Sequence, residues 1–448
     1  MNTQAIAAVI LAAGHGTRMK SALTKVLHEI GGRAMLGHVI DAAETLSPTR
    51  MAVVVGDHAP EAGEYARRLR DDIAVAVQAP PQGTGDAVKQ ALPALQGFEG
   101  AVLVLYADTP LIMPATLRAL ADKIENGAAV AVLGFTPEDV GAYGRLKTNA
   151  EGGLEAIVEA KDASDEELRI GFCNSGVMAF DAQFLQSHIG DINNDNAKGE
   201  YYLTDMVAIA RKSDRDCVAI EVDSQEVLGV NSRIELAEAE AVFQNRRRHA
   251  AMAAGATLLD PDTVYFSYDT ELGKDVVVGQ SVVFAPGVKV ADNVEIKAFS
   301  HLEGALVSTA ASVGPFARLR PGAALGDGAK VGNFVEIKKA DLGAGAKVSH
   351  LTYIGDAEIG ADANIGAGTI TCNYDGYDKH KTAIGAGAFI GSNSSLVAPV
   401  RIGDGAYVGS GSVITKDVEP DDLAVARGRQ AAIKGWAARF RRAHGEGK

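Results

Sequence analysis

The sequence predicts an α/β domain with a mostly parallel sheet, followed by a parallel β-helix of hexapeptide repeats. Three observations carry this. Up to about residue 230, short apolar runs alternate with amphipathic segments. From about residue 276, aliphatic residues recur every six positions. Glycine supplies 50 of 448 residues, about 11% against a usual ~7%, and small residues often follow the recurring aliphatic.

In the first part, the runs Ile6–Ala12, Met51–Val55, Ile73–Val77, Ala101–Tyr106 and Ala128–Leu133 are strand-sized. Amphipathic stretches such as Pro60–Arg70 and Pro114–Asn126 lie among them. Buried strands between helices read in this way when helices cover both faces of a sheet. Ser232–Ala254 then predicts one helix, capped by Ser232, with Glu235, Glu238 and Glu240 early and Arg246–Arg248 late. That charge order suits the helix dipole. The three arginines read as a solvated face rather than a phosphate patch.

The six-residue rule runs through Val278, Phe284, Val290, Ile296 and Leu302. After a short step it continues through Val307, Val313, Leu319, Leu325, Val331 and Ile337. Further short steps lead to Leu342, Val348 and Ile354, and then to Ile359 and Ile365. The register breaks over Ile370–Thr382 and resumes at Ile384, Ile390, Leu396, Ile402, Val408 and Ile414. This period fits neither a helix nor a hairpin. It is the signature of stacked hexapeptide coils. Chemistry is expected where the rule breaks, at ITCNYDGYDKHKT. A length of 448 residues suits about three domains, set here at 1–231, a linker helix 232–254, and 255–448.

Composition excludes several classes. A net charge of −14 argues against a general nucleic-acid or membrane-surface binder. An anionic ligand must therefore be held by local cations and backbone N–H groups. Cys173, Cys217 and Cys372 show no metal-ligand spacing and no disulfide framework. The start, MNTQAIAAVILAAG, lacks the basic stretch of a signal peptide, and no apolar run approaches the ~18–20 residues of a membrane span. A cytoplasmic protein is expected.

The first strand runs into Leu11-Ala12-Ala13-Gly14-His-Gly16-Thr-Arg18-Met19. Glycines after a strand let backbone N–H groups approach phosphate oxygens. Met19 stands where a dinucleotide fingerprint needs glycine, and no P-loop spacing is present. Arg18 and Lys25 supply two cations beside this loop. A second glycine-rich turn, Gln78 to Gly85, includes Gly83 and Thr84 and opens into a helix. Asp108 follows the strand Ala101–Tyr106, at the carboxyl end where open α/β sheets bind ligands. A carboxylate there suits Mg²⁺, which takes one or two carboxylates together with substrate phosphates.

LAAGHGTRM, Lys25 and the YAD of Tyr106-Ala107-Asp108 resemble the signature of the sugar-1-phosphate nucleotidyltransferases. Joined to hexapeptide repeats containing HLTYIGD and CNYDG, the chain is similar to the bifunctional N-acetylglucosamine-1-phosphate uridylyltransferase/glucosamine-1-phosphate acetyltransferase (GlmU) family, from the first strand to about Arg427. The resemblance implies a Rossmann-like nucleotidyltransferase domain, a left-handed coil, and a homotrimer with the acetyl site between adjacent solenoids. It implies two reactions. Glucosamine 1-phosphate is acetylated by acetyl-CoA, and UTP then gives UDP-N-acetylglucosamine and pyrophosphate, for peptidoglycan and lipopolysaccharide precursor synthesis.

By the same resemblance, Leu11, Ala12, Ala13, Gly14, Gln78, Gly83, Thr84, Tyr106 and Ala107 hold the nucleotide, with Arg18 and Lys25 on its phosphates. Gly144, Glu159 and Asn174 match the sugar positions, and Asp108 and Asn231 the Mg²⁺ ligands. Arg320, Lys338, Tyr353 and Asn364 match contacts to the amino sugar and its phosphate. Ala367, Asn373, Tyr374, Ser392, Ser410 and Arg427 match the acetyl-CoA positions. Thr24 replaces the usual Pro, Ala107 the usual Gly, and Ser410 an alanine.

Acetyl transfer to an amine needs a proton acceptor, and histidine titrates near neutrality. A lone histidine is more often structural, but His350 aligns with the family's acceptor. A nucleotidyltransferase with a purely structural solenoid is the alternative, which would need neither His350 nor CNYDG. A non-catalytic binding scaffold would need no set of Lys25, Asp108 and Asn231. The basic tail from Trp436 to Arg442 could equally serve CoA phosphates or be a solvated end.

Overall fold

The first apolar run is buried along its whole length as β1, Ile6–Ala12, because successive side chains enter different cores. Ile6, Ala8, Ile10 and Ala12 pack on one face, and Ala7, Val9 and Leu11 on the other. The computed structural model describes residues 5–149 and 152–445; Met1–Gln4, the start of the segment read above as no signal peptide, lie outside them. Two compact units result, Met1–Arg246 and Arg247–Lys448.

In the first unit, β2 (Arg50–Gly56), β3 (Ala74–Gln78), β4 (Ala101–Tyr106), β5 (Val130–Phe135), β6 (Cys173–Asp181) and β7 (Cys217–Glu221) complete the main path of the sheet, in the order β7-β5-β6-β4-β1-β2-β3. All pairings along this path are parallel except those of β6, which runs antiparallel to β4 and β5. A short hairpin, Arg145–Thr148 with Leu154–Val158, joins it at Cys173. The chain leaves β1 toward β2 and β3, then returns to add β4 on the other side. This makes a switch point between β1 and β4, where a crevice opens outside the carboxyl ends of the strands.

Helices α1 (Met35–Glu44), α2 (Pro60–Leu69), α3 (Thr84–Ala91) and α4 (Pro114–Glu125) cover the sheet. They are followed by α5 (Ala182–His188), α6 (Asp205–Lys212) and the long α7 (Arg233–Ala253). Ser232 Oγ accepts from Glu235 N at 3.3 Å, as expected of the cap. The Glu235 carboxylate in turn accepts from Asn231 N at 2.7 Å, a reciprocal cap. The three late arginines are not the solvated face expected. Arg246 donates to Leu111 O at 2.6 Å, Arg247 to Thr270 O, and Arg248 to Val264 O at 3.0 Å. Planar guanidinium forks satisfy carbonyls that would otherwise lack donors.

The second unit is a left-handed parallel β-helix. Short strands stack coil on coil in register: Val278 pairs with Ile296, Ile296 with Val313, and Val313 with Val331. Every recurring aliphatic residue read from the sequence is buried. The position two residues earlier is buried as well and is mostly small, as in Ala311, Ala317, Ala329, Ala346 and Ala363. Each hexad thus supplies one large and one small inward side chain.

The break in register is shorter than the sequence suggested. Ile370–Cys372 stays in the sheet, opposite Ser395–Val397. Thr371 takes the inward position, 1% exposed, its hydroxyl donating to Gly355 O at 3.1 Å and accepting from Gly355 N at 2.8 Å. A satisfied threonine replaces an aliphatic, so hydrophobic periodicity misses it. The insertion proper is Asn373–Lys381, and it is ordered around Asp375. That carboxylate accepts from Tyr377 N and Asp378 N, both at 2.8 Å, and bonds His380 Nε2 at 2.7 Å. These contacts hold it well below the usual carboxylate range.

A last helix, α8 (Trp436–Ala443), is exposed, with Trp436 stacked on Phe440 at 4.9 Å and Phe440 on His444 at 4.2 Å. No helix among the described residues is long and apolar enough to cross a membrane. The three cysteines are free. Because one inward aliphatic per hexad carries the solenoid core, Leu319→Ala is expected to cost ~2–5 kcal/mol. Lys330→Ala, on an outward position, should stay within about 0.5 kcal/mol. Guanidinium-chloride unfolding of the two variants checks this contrast.

Candidate active sites

Parallel register at the switch point sets the first site. Leu11 of β1 lies opposite Tyr106 of β4, and Ala107 N donates to Leu11 O at 3.0 Å. Beyond them opens a cavity of about 400 Å³, lined by Leu11–Gly14, Lys25, Gln78, Gly83, Thr84, Tyr106, Asp108, Glu159 and Asn174 among others. That size accommodates a small ligand. Of the expected residues of this site, Arg18, Ala107, Gly144 and Asn231 do not line it. Arg18 is exposed on the turn Thr17–Met19. Ala107 is fully buried beneath the floor. Gly144 O accepts from Asn174 N at 2.8 Å, so it sits immediately behind the wall.

Lys25 and Asp108 form an ion pair, and the same ammonium donates to Asn231 Oδ1 at 3.1 Å. Asp108 is further fixed by its carbonyl, which accepts from Val230 N at 2.8 Å. Two hard oxygen donors thus converge on one cation. This donor set fits a small hard dication, and the lysine ammonium already occupies the position of positive charge between them. Thr24 donates its hydroxyl to Glu61 and so ties the Lys25 turn to α2.

The glycine turn after β3 is held closely. Gln78 Nε2 donates to Gly83 O at 2.9 Å and to Asp86 Oδ2 at 2.7 Å. Gly83 has φ +111°, and a Cβ there would lie 2.5 Å from Tyr201 O. Only glycine fits this approach. The segment Lys198–Thr204 follows, and its Lys198, Glu200, Tyr202 and Thr204 also line the cavity. Sequence reasoning missed them, because KGEYYLTD carries neither periodicity nor a phosphate-loop pattern. Burial raises the Glu159 carboxyl, with Lys198 opposing the shift. Burial and the Asp108 charge raise the Tyr106 phenol, which stays protonated beside Thr84.

Along the solenoid, a second set forms at one corner of successive coils. Asn333 and His350 occupy the same register position in adjacent coils. The pairs Val348–Ile365, Ile365–Ile390 and Ile390–Val408 continue this register, so Ala367, Ser392 and Ser410 fall in the column of His350. The residue after each has positive φ: Phe334, Leu351, Gly368, Asn393 and Gly411. On the early side of His350 the corner is bulky, with Phe316 stacked on Phe334 at 5.3 Å. On the late side it is small. The bulky side chains of the column end at Leu351, beside His350, which is exposed. Arg427 closes the column, donating to Ser410 O at 2.5 Å.

Across that corner lies a cationic group. Arg320 and Lys338 follow Leu319 and Ile337, which pair in register, and Lys338 pairs with Gly355 in the next coil. Lys379 of the insertion, within hydrogen-bonding reach, pulls Lys338 below the usual lysine range. Lys379 was not among the expected residues; a lone lysine in an irregular loop has no pattern to mark it. Like charges brought this close disfavour each other's protonated form. A Cβ at Gly355 would lie 2.3 Å from Tyr353 Oη and 2.8 Å from Asn373 Nδ2, so both side chains lie close against its backbone. Tyr353 and Asn373 therefore meet over a bare backbone, with Asn373 donating to Asp356. Tyr374 is exposed, its hydroxyl donating to Gly376 O at 2.6 Å. Asn364 stands apart from this group, on the face of Lys347 and Phe389.

Residues 8–161 match the MobA-like NTP transferase domain, and residues 381–416 match the bacterial transferase hexapeptide (six repeats). The chain is 57% identical to the bifunctional protein GlmU of Azorhizobium caulinodans over 448 residues, covering 100% of each chain. It is 57% identical to that of Paramagnetospirillum magneticum over 443 residues, covering 98% of each. With the Sphingopyxis alaskensis protein of the same name it shares 54% over 437 residues, 97% of this chain and 96% of the other. The matched length spans both units, and the chain belongs to the bifunctional GlmU family.

Proposed function

We propose that the two transfers of this bifunctional enzyme take place at the two sites described, with the residues in the following roles. The enzyme is a glucosamine-1-phosphate N-acetyltransferase and a UDP-N-acetylglucosamine diphosphorylase. We assign uridylyl transfer to residues 1–231, the linker helix to 232–254, and acetyl transfer to 255–448.

At the first site, a phosphate oxygen of N-acetylglucosamine 1-phosphate attacks the α-phosphorus of UTP in line, and pyrophosphate leaves. The nucleophile is already anionic, so no protein base is needed; positioning and charge neutralisation carry the step. Leu11–Gly14, Gln78, Gly83, Thr84 and Tyr106 hold the nucleotide, with Ala107 supporting them from below. Glu159 and Asn174, backed by Gly144, hold the sugar. Lys25 turns from Asp108 to the phosphates, with Arg18 at the loop edge. Asp108 and Asn231 would hold Mg²⁺, which when bound neutralises phosphate charge. The single observation that carries this reading is the convergence of Lys25, Asp108 and Asn231 at the switch point.

At the second site, Arg320, Lys338 and Lys379 take the phosphate of glucosamine 1-phosphate, with Tyr353 on the sugar; Asn364, on another face of the coil, would reach a sugar only across an interface between copies. Ala367, Ser392, Ser410 and Arg427 line the path of acetyl-CoA, with Asn373 and Tyr374 beside the reacting end. The amine attacks the thioester carbonyl, a C–N bond forms and the C–S bond breaks. His350 accepts the amine proton and returns it to the leaving thiolate. Phe299, Phe316, Phe334 and Leu351 leave an exposed apolar ladder at this corner. It supports assembly into a homotrimer, whose neighbouring copies would complete the site. We place the enzyme in the cytoplasm.

A coupled assay with glucosamine 1-phosphate, acetyl-CoA, UTP and Mg²⁺ tests both roles by following free thiol and pyrophosphate separately. His350→Ala is expected to lose thiol release yet still form pyrophosphate when given N-acetylglucosamine 1-phosphate. Wild type that makes pyrophosphate but never thiol would reduce the solenoid to a scaffold. Lys25→Ala should lower pyrophosphate release by a factor on the order of 10² and leave thiol release intact; near-normal turnover would remove Lys25 from the mechanism. Chelation by EDTA should abolish pyrophosphate release alone, restored by added Mg²⁺.

A further inference from the structure

We infer that Asn333 is a positioning residue for acetyl transfer, fixing the tautomer of His350 so that Nε2 carries the lone pair. This rests on the reading of His350 as proton acceptor. His350 Nδ1 lies 2.6 Å from Asn333 Oδ1. An amide oxygen only accepts, so Nδ1 must donate and therefore holds the ring proton. Nε2 is left as the basic nitrogen. In the opposite tautomer, two lone pairs would face each other across that distance.

The solenoid makes this contact repeatable. Asn333 and His350 end equivalent strands of adjacent coils, and the residues after them, Phe334 at φ +57° and Leu351 at φ +52°, turn in the same left-handed way. The two side chains therefore leave matching backbones and meet directly. Asparagine fixes the tautomer without adding charge. An aspartate there would fix the same tautomer but also stabilise the imidazolium, making His350 harder to deprotonate. Around the ring, the strand carrying Asn333 bears Lys330, and the strand of His350 bears Lys347, the two paired in register. The next strand, Asn364–Ile365, bears no charge, and across the corner stand Glu336 and Tyr353.

The test follows thiol release against pH for wild type, Asn333→Ala and Asn333→Asp, with pyrophosphate release measured on the same preparations. Asn333→Ala is expected to lower kcat for thiol release about tenfold or more, with KM for both substrates little changed. Asn333→Asp should recover most of that kcat and move the acid limb of the profile to higher pH. A wild-type ¹⁵N spectrum of the histidine rings should show His350 Nε2 unprotonated at neutral pH, a reading independent of how any variant folds. The inference is overturned if Asn333→Ala keeps kcat within about twofold, if Asn333→Asp leaves the acid limb in place, or if Nε2 carries the proton. His350→Ala separates the two failures. If it retains thiol release, the reading of His350 falls; if it loses thiol release while Asn333→Ala does not, only the role of Asn333 falls.

Discussion

Parallel pairing in fixed register is the constraint on which both halves of the chain depend. In a parallel ladder, equivalent residues lie side by side along the sheet, so function is assembled in columns and at strand ends. In the first unit it sets the carboxyl ends of β1 and β4 together, bringing Leu11 beside Tyr106 and the glycine loop beside Asp108. In the second it sets Asn333, His350 and Ala367 in one column and Arg320 and Lys338 in another. A slip of one residue would turn every hexad inside out. The paired large and small inward positions of each coil guard against it.

Electrostatics then decides what each site accepts. The chain carries a net charge of −14, so its overall field opposes anionic substrates. Each site answers this locally. At the first, Lys25 is 9% exposed and neutralised by Asp108 while it waits. Pairing makes a buried ammonium affordable and keeps it aimed at the crevice. At the second, Lys379 lies close enough to Lys338 to hold it below the usual lysine range. One site holds its cation in an ion pair; the other sets two cations side by side.

How much of this was legible depends on whether a residue repeats or stands alone. The hexads were readable because each inward aliphatic recurs, and all of them are buried. Thr371 escaped because its hydroxyl finds partners inside the coil, so a polar residue fills a core position. Arg246–Arg248 were misjudged because charge order along a helix says nothing of which carbonyls lie within reach. The loop Leu11–Gly14 and Asp108 were legible from strand–turn grammar, whereas the roles of Asn231 and His350 rested on family likeness. Lys198–Thr204 and Lys379 were not legible, since they approach only through tertiary packing and the local chain carries no periodic signal.

The two sites also differ in the chemistry their nucleophiles demand, and the residues follow that difference. A sugar phosphate attacks with an oxygen already ionised, so the first cavity needs cations and aligned donors; among the described residues no histidine lines it. An amine must shed a proton as it attacks, so the second needs a neutral base that titrates near physiological pH. Placing that base at a solenoid corner has a physical consequence. The backbone there is rigid and repeated, and a single amide one coil away suffices to orient the ring. The insertion Asn373–Lys381 supplies what repetition cannot, an irregular wall carrying Asn373, Tyr374 and Lys379. Regular coils orient the base and the interruption shapes the pocket. On the reading proposed above, acyl transfer draws on both the repeat and the one place where it breaks.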